Sequence, residues 1–212
     1  MASKNNRTGG DVNETALAYL EEKYGEPFTY AGAMGNSMSG THAFYADCES
    51  LPGKHVKVAV VGFQASDYTV RDNYLLLKYE EEIRQYLLEQ AQTEFSDVRL
   101  HYYETKVTLS EDLPADATLE QVLHDPEAYV SAVFEVRADA MTEPSGAARV
   151  AERVAADLKQ YDVEFLAVED DRFGTMTDEE ADECISRGTY VRYASYVCLH
   201  DQVQTQWKEA GD

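Results

Sequence analysis

The chain has 212 residues, 44% of them hydrophobic, and sets forty acidic side chains against eighteen basic ones, for a formal charge of −22. That apolar content builds a packed core and excludes global disorder, and no apolar run reaches the roughly 18 residues of a transmembrane helix. The charge excludes direct nucleic-acid binding, which needs clustered Lys and Arg; it leaves solubility, complementarity to a basic partner, or mimicry of nucleic acid.

Residues 1–10, MASKNNRTGG, read as a flexible polar lead-in without the apolar segment of a secretory signal. A helix is expected from Val12 to Tyr24. Asp11 and Glu14 stand at capping-box spacing, and Leu17, Leu20 and Tyr24 form the stripe. Gly25 is a natural C-cap and Pro27 prevents resumption. Three strands follow by alternation: Phe28–Met34, Thr41–Cys48 and Lys54–Phe63. The Gly35–Gly40 connection is rich in small residues. Its backbone N–H groups could hold an anion, but it lacks the Lys and the strand–loop–helix setting of a phosphate loop.

Asp72–Phe95 carries the longest helical spacing. Leu76, Tyr79, Ile83, Leu87 and Ala91 recur at steps of three and four, and no Pro or Gly interrupts them. Asp72 is the expected N-cap. Lys78 with Glu82 and Glu80 with Arg84 sit at neighbour spacing, worth roughly 0.2–0.5 kcal/mol each. A strand over Val98–Thr108 follows. Ser110–Ala117, acidic and containing Pro, is the best internal boundary in an otherwise single α+β domain over 11–207. A short helix is expected at Thr118–Leu123 and a strand at Tyr129–Ala138. The loop Met141–Gly146 opens a helix to about Tyr161, striped by Val150, Val154, Leu158 and Tyr161, with Ala147, Ala151 and Ala155 for close packing. Strands Val163–Val168 and Thr189–Leu199 flank an acidic loop with a short helix inside. Trp207 lies in a tail that docks or frays. The element order in the first half, α-β-β-β-α-β, resembles cystatin-like and PepSY-like modules. The fold class expected is α+β, a mostly antiparallel sheet with helices packed on one face.

Local chemistry is sparse. His42, His55, His101, His124 and His200 form no metal-ligand pair at helical spacing, which favours structural or surface roles. Cys48, Cys184 and Cys198 match no zinc or CxxC pattern; Cys198 reads as a buried thiol, and a Cys184–Cys198 bridge stays open. No nucleophile motif is present, no carboxylate pair stands out, and no cofactor is implied. One segment, EDDRFGTMTDEE, can be laid on a twelve-residue calcium loop, with Glu169 first, Asp171 third, Gly174 sixth and Glu180 twelfth. Phe173 at the fifth position cannot ligate. Thr177 and Glu180 are explained equally well as a capping box.

Two runs, ALAYLEEKYGEPFTYAG (Ala16–Gly32) and FQASDYTVRDNYLLLKYEEEIRQYL (Phe63–Leu87), are similar to uncharacterised proteins of gut Firmicutes. The resemblance covers about the first hundred residues, and its motifs are structural. It implies an exported, lipoprotein-like protein, although this chain shows neither the signal nor the anchoring cysteine. The leading expectation is therefore a non-enzymatic extracytoplasmic protein, tethered at its N-terminus and acting through protein or ligand binding. The alternative is a cytoplasmic acidic inhibitor or immunity protein that covers the basic site of a toxin or nuclease. A third reading is an enzyme whose site assembles in space, around Gly35–Gly40.

Overall fold

The computed structural model describes residues 9–36, 41–62, 67–103 and 108–210. The chain divides into two compact units, Met1–Tyr79 with Lys106–Thr118, and Glu80–Thr105 with Leu119–Asp212. Each is α+β, and their sheets are mostly antiparallel. No helix among the described residues is long and apolar enough to cross a membrane.

The first unit starts with helix α1 (Gly9–Tyr24). Strands β1 (Phe28–Asn36), β2 (Thr41–Cys48), β3 (Val56–Val61) and β4 (Thr69–Asp72) follow, then the short helix α2 (Tyr74–Lys78). The strands pair in sequence order, all antiparallel. Alternation puts Phe44 opposite Val58 and Ala46 opposite Val56, all fully buried. Ala16 and Leu20 are the buried residues of α1. Burying a side chain the size of Val or Phe contributes about 1.5–3 kcal/mol. Gly25 closes α1 at φ +75°, its N–H donating to the Glu21 carbonyl at 2.9 Å. Of the small-residue connection, residues 37–40 lie outside the described residues.

The long helix expected over Asp72–Phe95 is two helices. Tyr79 leaves the helical region (φ −97°, ψ 15°), and the boundary between the units falls between Tyr79 and Glu80. Four successive residues, Tyr74 to Leu77, are buried, and this short turn has no polar face. Asp72 ends β4 and still performs the expected task, since its Oδ1 accepts from the first-turn N–H of Tyr74 at 3.0 Å. That oxygen also takes the Tyr24 hydroxyl at 2.7 Å, and Oδ2 takes Lys23 Nζ at 3.2 Å. The Ser110–Ala117 stretch expected to divide the chain lies inside this unit. The Leu109 N–H donates to the Asp72 carbonyl and the Tyr79 hydroxyl to the Ala117 carbonyl. The chain passes from this unit to the second just after Ala117, between Thr118 and Leu119.

The second unit contains α3 (Glu80–Gln92), β5 (Val98–Tyr103), α4 (Leu119–Leu123) and β6 (Tyr129–Arg137). It continues with α5 (Ser145–Asp157), β7 (Gln160–Val168), α6 (Asp178–Arg187), β8 (Arg192–Leu199) and β9 (Gln202–Glu209). The five strands lie in sequence order, and only β6 and β7 are parallel. A parallel pair needs a crossover, and α5 supplies it. Helix α5 ends at Asp157, before the expected Tyr161, because Leu158 turns extended (φ −102°, ψ 130°). Ala147 and Ala151 pack inward as expected, whereas Ala155 is exposed. The expected tail is instead the edge strand β9. Its polar sequence, QVQTQWKE, hides the strand period, and its hairpin turns on His200 and Asp201, both at positive φ, in place of the usual Asn-Gly.

Alternation divides this sheet sharply. One face carries Phe134, Val136, Val163, Phe165 and Ala194, covered by Ile83, Leu87 and Phe95 from the α3 region and by Val150, Val154 and Leu158 from the α5 region. Phe134 and Phe165 stack at 5.0 Å, with Phe95 5.8 Å from Phe165. The opposite face presents Val133, Leu166 and Val168 to Met176 and to Ala181 and Cys184 of α6. Cys184 and Cys198 thus occupy opposite faces, and all three cysteines are free.

Candidate functional site

The face under α6 is where polar chemistry collects. On β5 it carries Arg99, His101 and Tyr103, and on β6 Tyr129, Ser131, Val133 and Glu135. On β7 it carries Asp162, Glu164 and Leu166, and on β8 Tyr193 and Ser195. A strand period of two guarantees that residues in matched register share a face, so Arg99 stands opposite Glu135 and Glu164 beside Val133 and Ser195.

At one end of this face Glu135 is wholly buried. A lone carboxylate there would be prohibitively costly, and three groups offset that cost. His101 Nε2 lies 3.1 Å from Oε2, the Gly174 N–H donates to Oε1 at 2.7 Å, and Arg99 Nη1 stands 3.8 Å from Oε2. His101 is itself buried, and its Nδ1 lies 2.7 Å from Oδ1 of Asp178 at the start of α6. Burial lowers the affinity of this imidazole for its proton, but the hydrogen bonds to Glu135 and Asp178 more than offset it. Its pKa is raised above the ordinary 6.5. The result is an imidazole with a carboxylate at each ring nitrogen, joining β5, β6 and the first turn of α6. Both ring nitrogens are engaged, so neither is free to serve a substrate.

At the other end Asp162 and Glu164 project from β7. Burial pushes both carboxyls above the usual range, against the opposing hydrogen bonds of Tyr129 and Tyr193. Oδ1 of Asp162 is buried and has no hydrogen-bond partner among the described residues. Tyr193 donates its hydroxyl to Oε1 of Glu164. Tyr129, half-buried near Asp162 and Glu164, is pushed up to about 12. Tyr103 is raised by burial and by Asp182, and its hydroxyl donates to the Asp178 carbonyl at 3.0 Å. Glu164 opens onto a groove of about 620 Å³, completed along α6 by Glu179, Glu180, Asp182, Glu183, Ile185 and Ser186. Five of those seven residues are acidic and none is basic.

The calcium-loop residues take other places. Gly174 does turn the chain, at φ +81°, but its N–H serves Glu135. Glu180 forms the capping box with Thr177, its Oε2 accepting the Thr177 N–H at 2.8 Å. The Glu169 carbonyl accepts from Arg172 and Phe173, and Asp171 is exposed. Phe173, the residue that cannot ligate, packs on the α6 side under the Arg137 guanidinium, 4.5 Å from its ring centre. Among the described residues no group of three or more His, Cys, Asp or Glu is placed to hold a metal ion. Of the other histidines, His42 meets Asn13 at 2.6 Å, His55 meets Asp47 at 2.6 Å and His124 meets the Glu120 carbonyl at 2.8 Å. His101, Glu135, Asp162 and Glu164 were not distinguished by the sequence. The signal available was two acidic residues spaced by two, DVE, inside an otherwise apolar strand.

No protein-family model matches the chain, and no curated protein matches it. Among solved structures it is similar to the crystal structure of a DUF5037 family protein from Ruminococcus gnavus ATCC 29149, a gut Firmicute. The two are 12% identical, with a TM-score of 0.40 over 91% of this chain and 94% of that one. At this level the likeness carries no statement about export, an anchor or an activity.

Proposed function

We propose that the protein works by binding, without catalysis, and that the groove between β7 and α6 receives a cationic segment of a protein or peptide ligand. One observation carries this reading. Glu164 is held half-buried at the groove floor, its carboxyl raised by burial, while Asp182 and three further carboxylates line the wall with no basic residue among them. An ammonium or guanidinium entering there would relieve the cost of that buried carboxylate and gain the field of its neighbours. The Tyr193 hydroxyl that Glu164 accepts keeps this carboxylate in position before the ligand arrives. The engaged state of His101 supports binding over proton transfer. The net charge of −22 supports attraction of basic partners at long range.

The test is calorimetric titration of the full chain with a short oligolysine peptide. Binding that weakens as salt is added, and that falls by about tenfold in a Glu164→Gln/Asp182→Asn variant, is the expected result; loss of one good charge contact has that order of effect. Equal affinity in the variant would remove the groove from the account. The reading includes an extracytoplasmic position through an N-terminal tether, supported by the resemblance of Ala16–Gly32 and Phe63–Leu87 to exported proteins. The intact mass of the native protein from membrane and soluble fractions tests it: a lipid-modified chain is expected, and an unmodified soluble chain would turn the reading to a cytoplasmic inhibitor of a basic toxin.

A further inference from the structure

The two sheets have four edge strands among the described residues, β1, β4, β5 and β9. Exposed edges invite pairing with other chains, and proteins blunt them with bulges, short length, charge or cover. Strand β1 has two register irregularities, between Tyr30 and Gly32 and between Ala33 and Gly35. Strand β4 is only four residues long and carries Arg71 and Asp72. Strand β5 carries Arg99, and α3 and α6 pack against it. Strand β9 is neither short nor bulged, and its charges, Lys208 and Glu209, stand at its last two positions. It runs eight residues in unbroken register with β8, contains no Pro, and is uncharged from Gln202 to Trp207. It also holds the most exposed large apolar side chain described, Val203, at 63%.

The middle of β9, Val203 to Trp207, is its own antiparallel complement. Centred on Thr205, a two-fold pairing sets Thr205 opposite Thr205, Gln204 opposite Gln206, and Val203 opposite Trp207. β-Branched residues pair well with aromatics, threonines pair with each other, and no like charges meet in these pairs. Val203, Thr205 and Trp207 share the face that looks toward the start of α5. There a groove of about 400 Å³ lies between Pro144, Ala148, Tyr196 and Trp207. An added strand would deliver an apolar side chain to that groove.

We propose that β9 pairs with β9 of a second copy of this chain, antiparallel about a two-fold axis through Thr205, with Val203 of each copy against Trp207 of the other. The pairing satisfies the outward N–H and C=O groups of both strands and joins the two five-stranded sheets into one. The bodies that it brings together are both strongly acidic, so screening favours assembly. Dimerisation strengthens with added salt, opposite to the capture of a cation in the α6 groove. The two proposals therefore fail separately.

Sedimentation velocity of the full chain over about a hundredfold concentration range reads the association by mass action. The wild type moves from one chain mass to two as concentration and salt rise. Thr205→Lys and Thr205→Glu each set like charges across the axis and stay at one chain mass, and their equimolar mixture returns to two. Thr205 is exposed, so at concentrations where the wild type has one chain mass both variants keep its circular dichroism and melting curve, which excludes unfolding as the cause. A wild type that stays monomeric throughout overturns the proposal. So does a dimer undisturbed by either variant, or a mixture that remains at one chain mass.

Discussion

On one face of the five-stranded sheet, Phe134, Val163 and Phe165 meet α3 and α5 through apolar contact. On the other, one residue along the same strands, Glu135, Asp162 and Glu164 meet tyrosines, a histidine and the backbone near α6. The two covers obey different rules. Apolar burial is non-directional and scales with area, so neighbouring side chains substitute for one another at modest cost. A buried carboxylate needs each of its partners, because removing one leaves the desolvation cost unopposed. The α6 face is consequently more brittle, more sensitive to pH, and the one with chemistry to offer a ligand.

The largest effects test that difference directly. Phe165→Ala removes a fully buried ring and costs about 3–5 kcal/mol. His101→Ala leaves the buried Glu135 without its imidazole partner and costs about 3–5 kcal/mol. The two part company on titration. The Phe165→Ala loss is the same at each pH, while the His101→Ala loss is largest below 6.5 and shrinks as pH rises through the folded-state value of His101. In the wild type the raised His101 pKa contributes stability that is full below 6.5 and is lost as pH rises through the higher folded-state value. Urea unfolding across that window reads both effects, and parallel pH curves for the two variants would break the comparison.

Two carboxylates give smaller effects of opposite sign. Glu94 accepts from Arg149 at 2.7 and 2.9 Å and from Arg153 at 2.8 Å, and these hydrogen bonds hold its pKa at about 2. Its contribution is present above the ordinary 4.5 and is lost as pH falls through about 2. Glu94→Gln is therefore less stable than wild type at neutral pH, and the gap closes in acid. Asp162 is the reverse case. Burial raises its carboxyl, so its ionisation opposes folding above the folded-state value and does not below 3.8. Asp162→Asn is more stable than wild type at neutral pH, and that gain disappears on acidification. Thermal melts of both variants from neutral to acid pH check the two signs. The smallest effect is Thr177→Ala, which breaks the capping box and costs about 1 kcal/mol. It loosens the start of α6, and with it Asp178, so the His101 titration moves back toward 6.5 in a proton NMR titration.

Much of the frame was legible from local spacing. The stripe Val150, Val154 and Leu158, the Gly25 stop, the alternation of β2, β3 and β6, and the Thr177–Glu180 box are patterns within one or two turns of chain. Short-range geometry specifies them whatever the rest of the molecule does. Where two local rules competed, tertiary packing decided. Tyr79 sits in an unbroken helical stripe, yet the helix breaks there because the residues before it are buried on all sides in the first unit. Strand β9 has the composition of a tail and becomes a strand because β8 offers it an edge.

The candidate site was not legible, and the reason is distance along the chain. His101 meets Glu135 across 34 positions and Asp178 across 77. In a chain with forty acidic residues, nothing local marks which carboxylates will be desolvated. By itself the sequence determined the class of fold, the Gly25 stop and the Thr177 cap, the faces of most strands and the strong negative charge, since each depends on residue type and period. Only the tertiary structure decided which strands became neighbours. It thereby decided which charges lie buried together, because a pKa and a binding groove depend on what surrounds a side chain and very little on what precedes it.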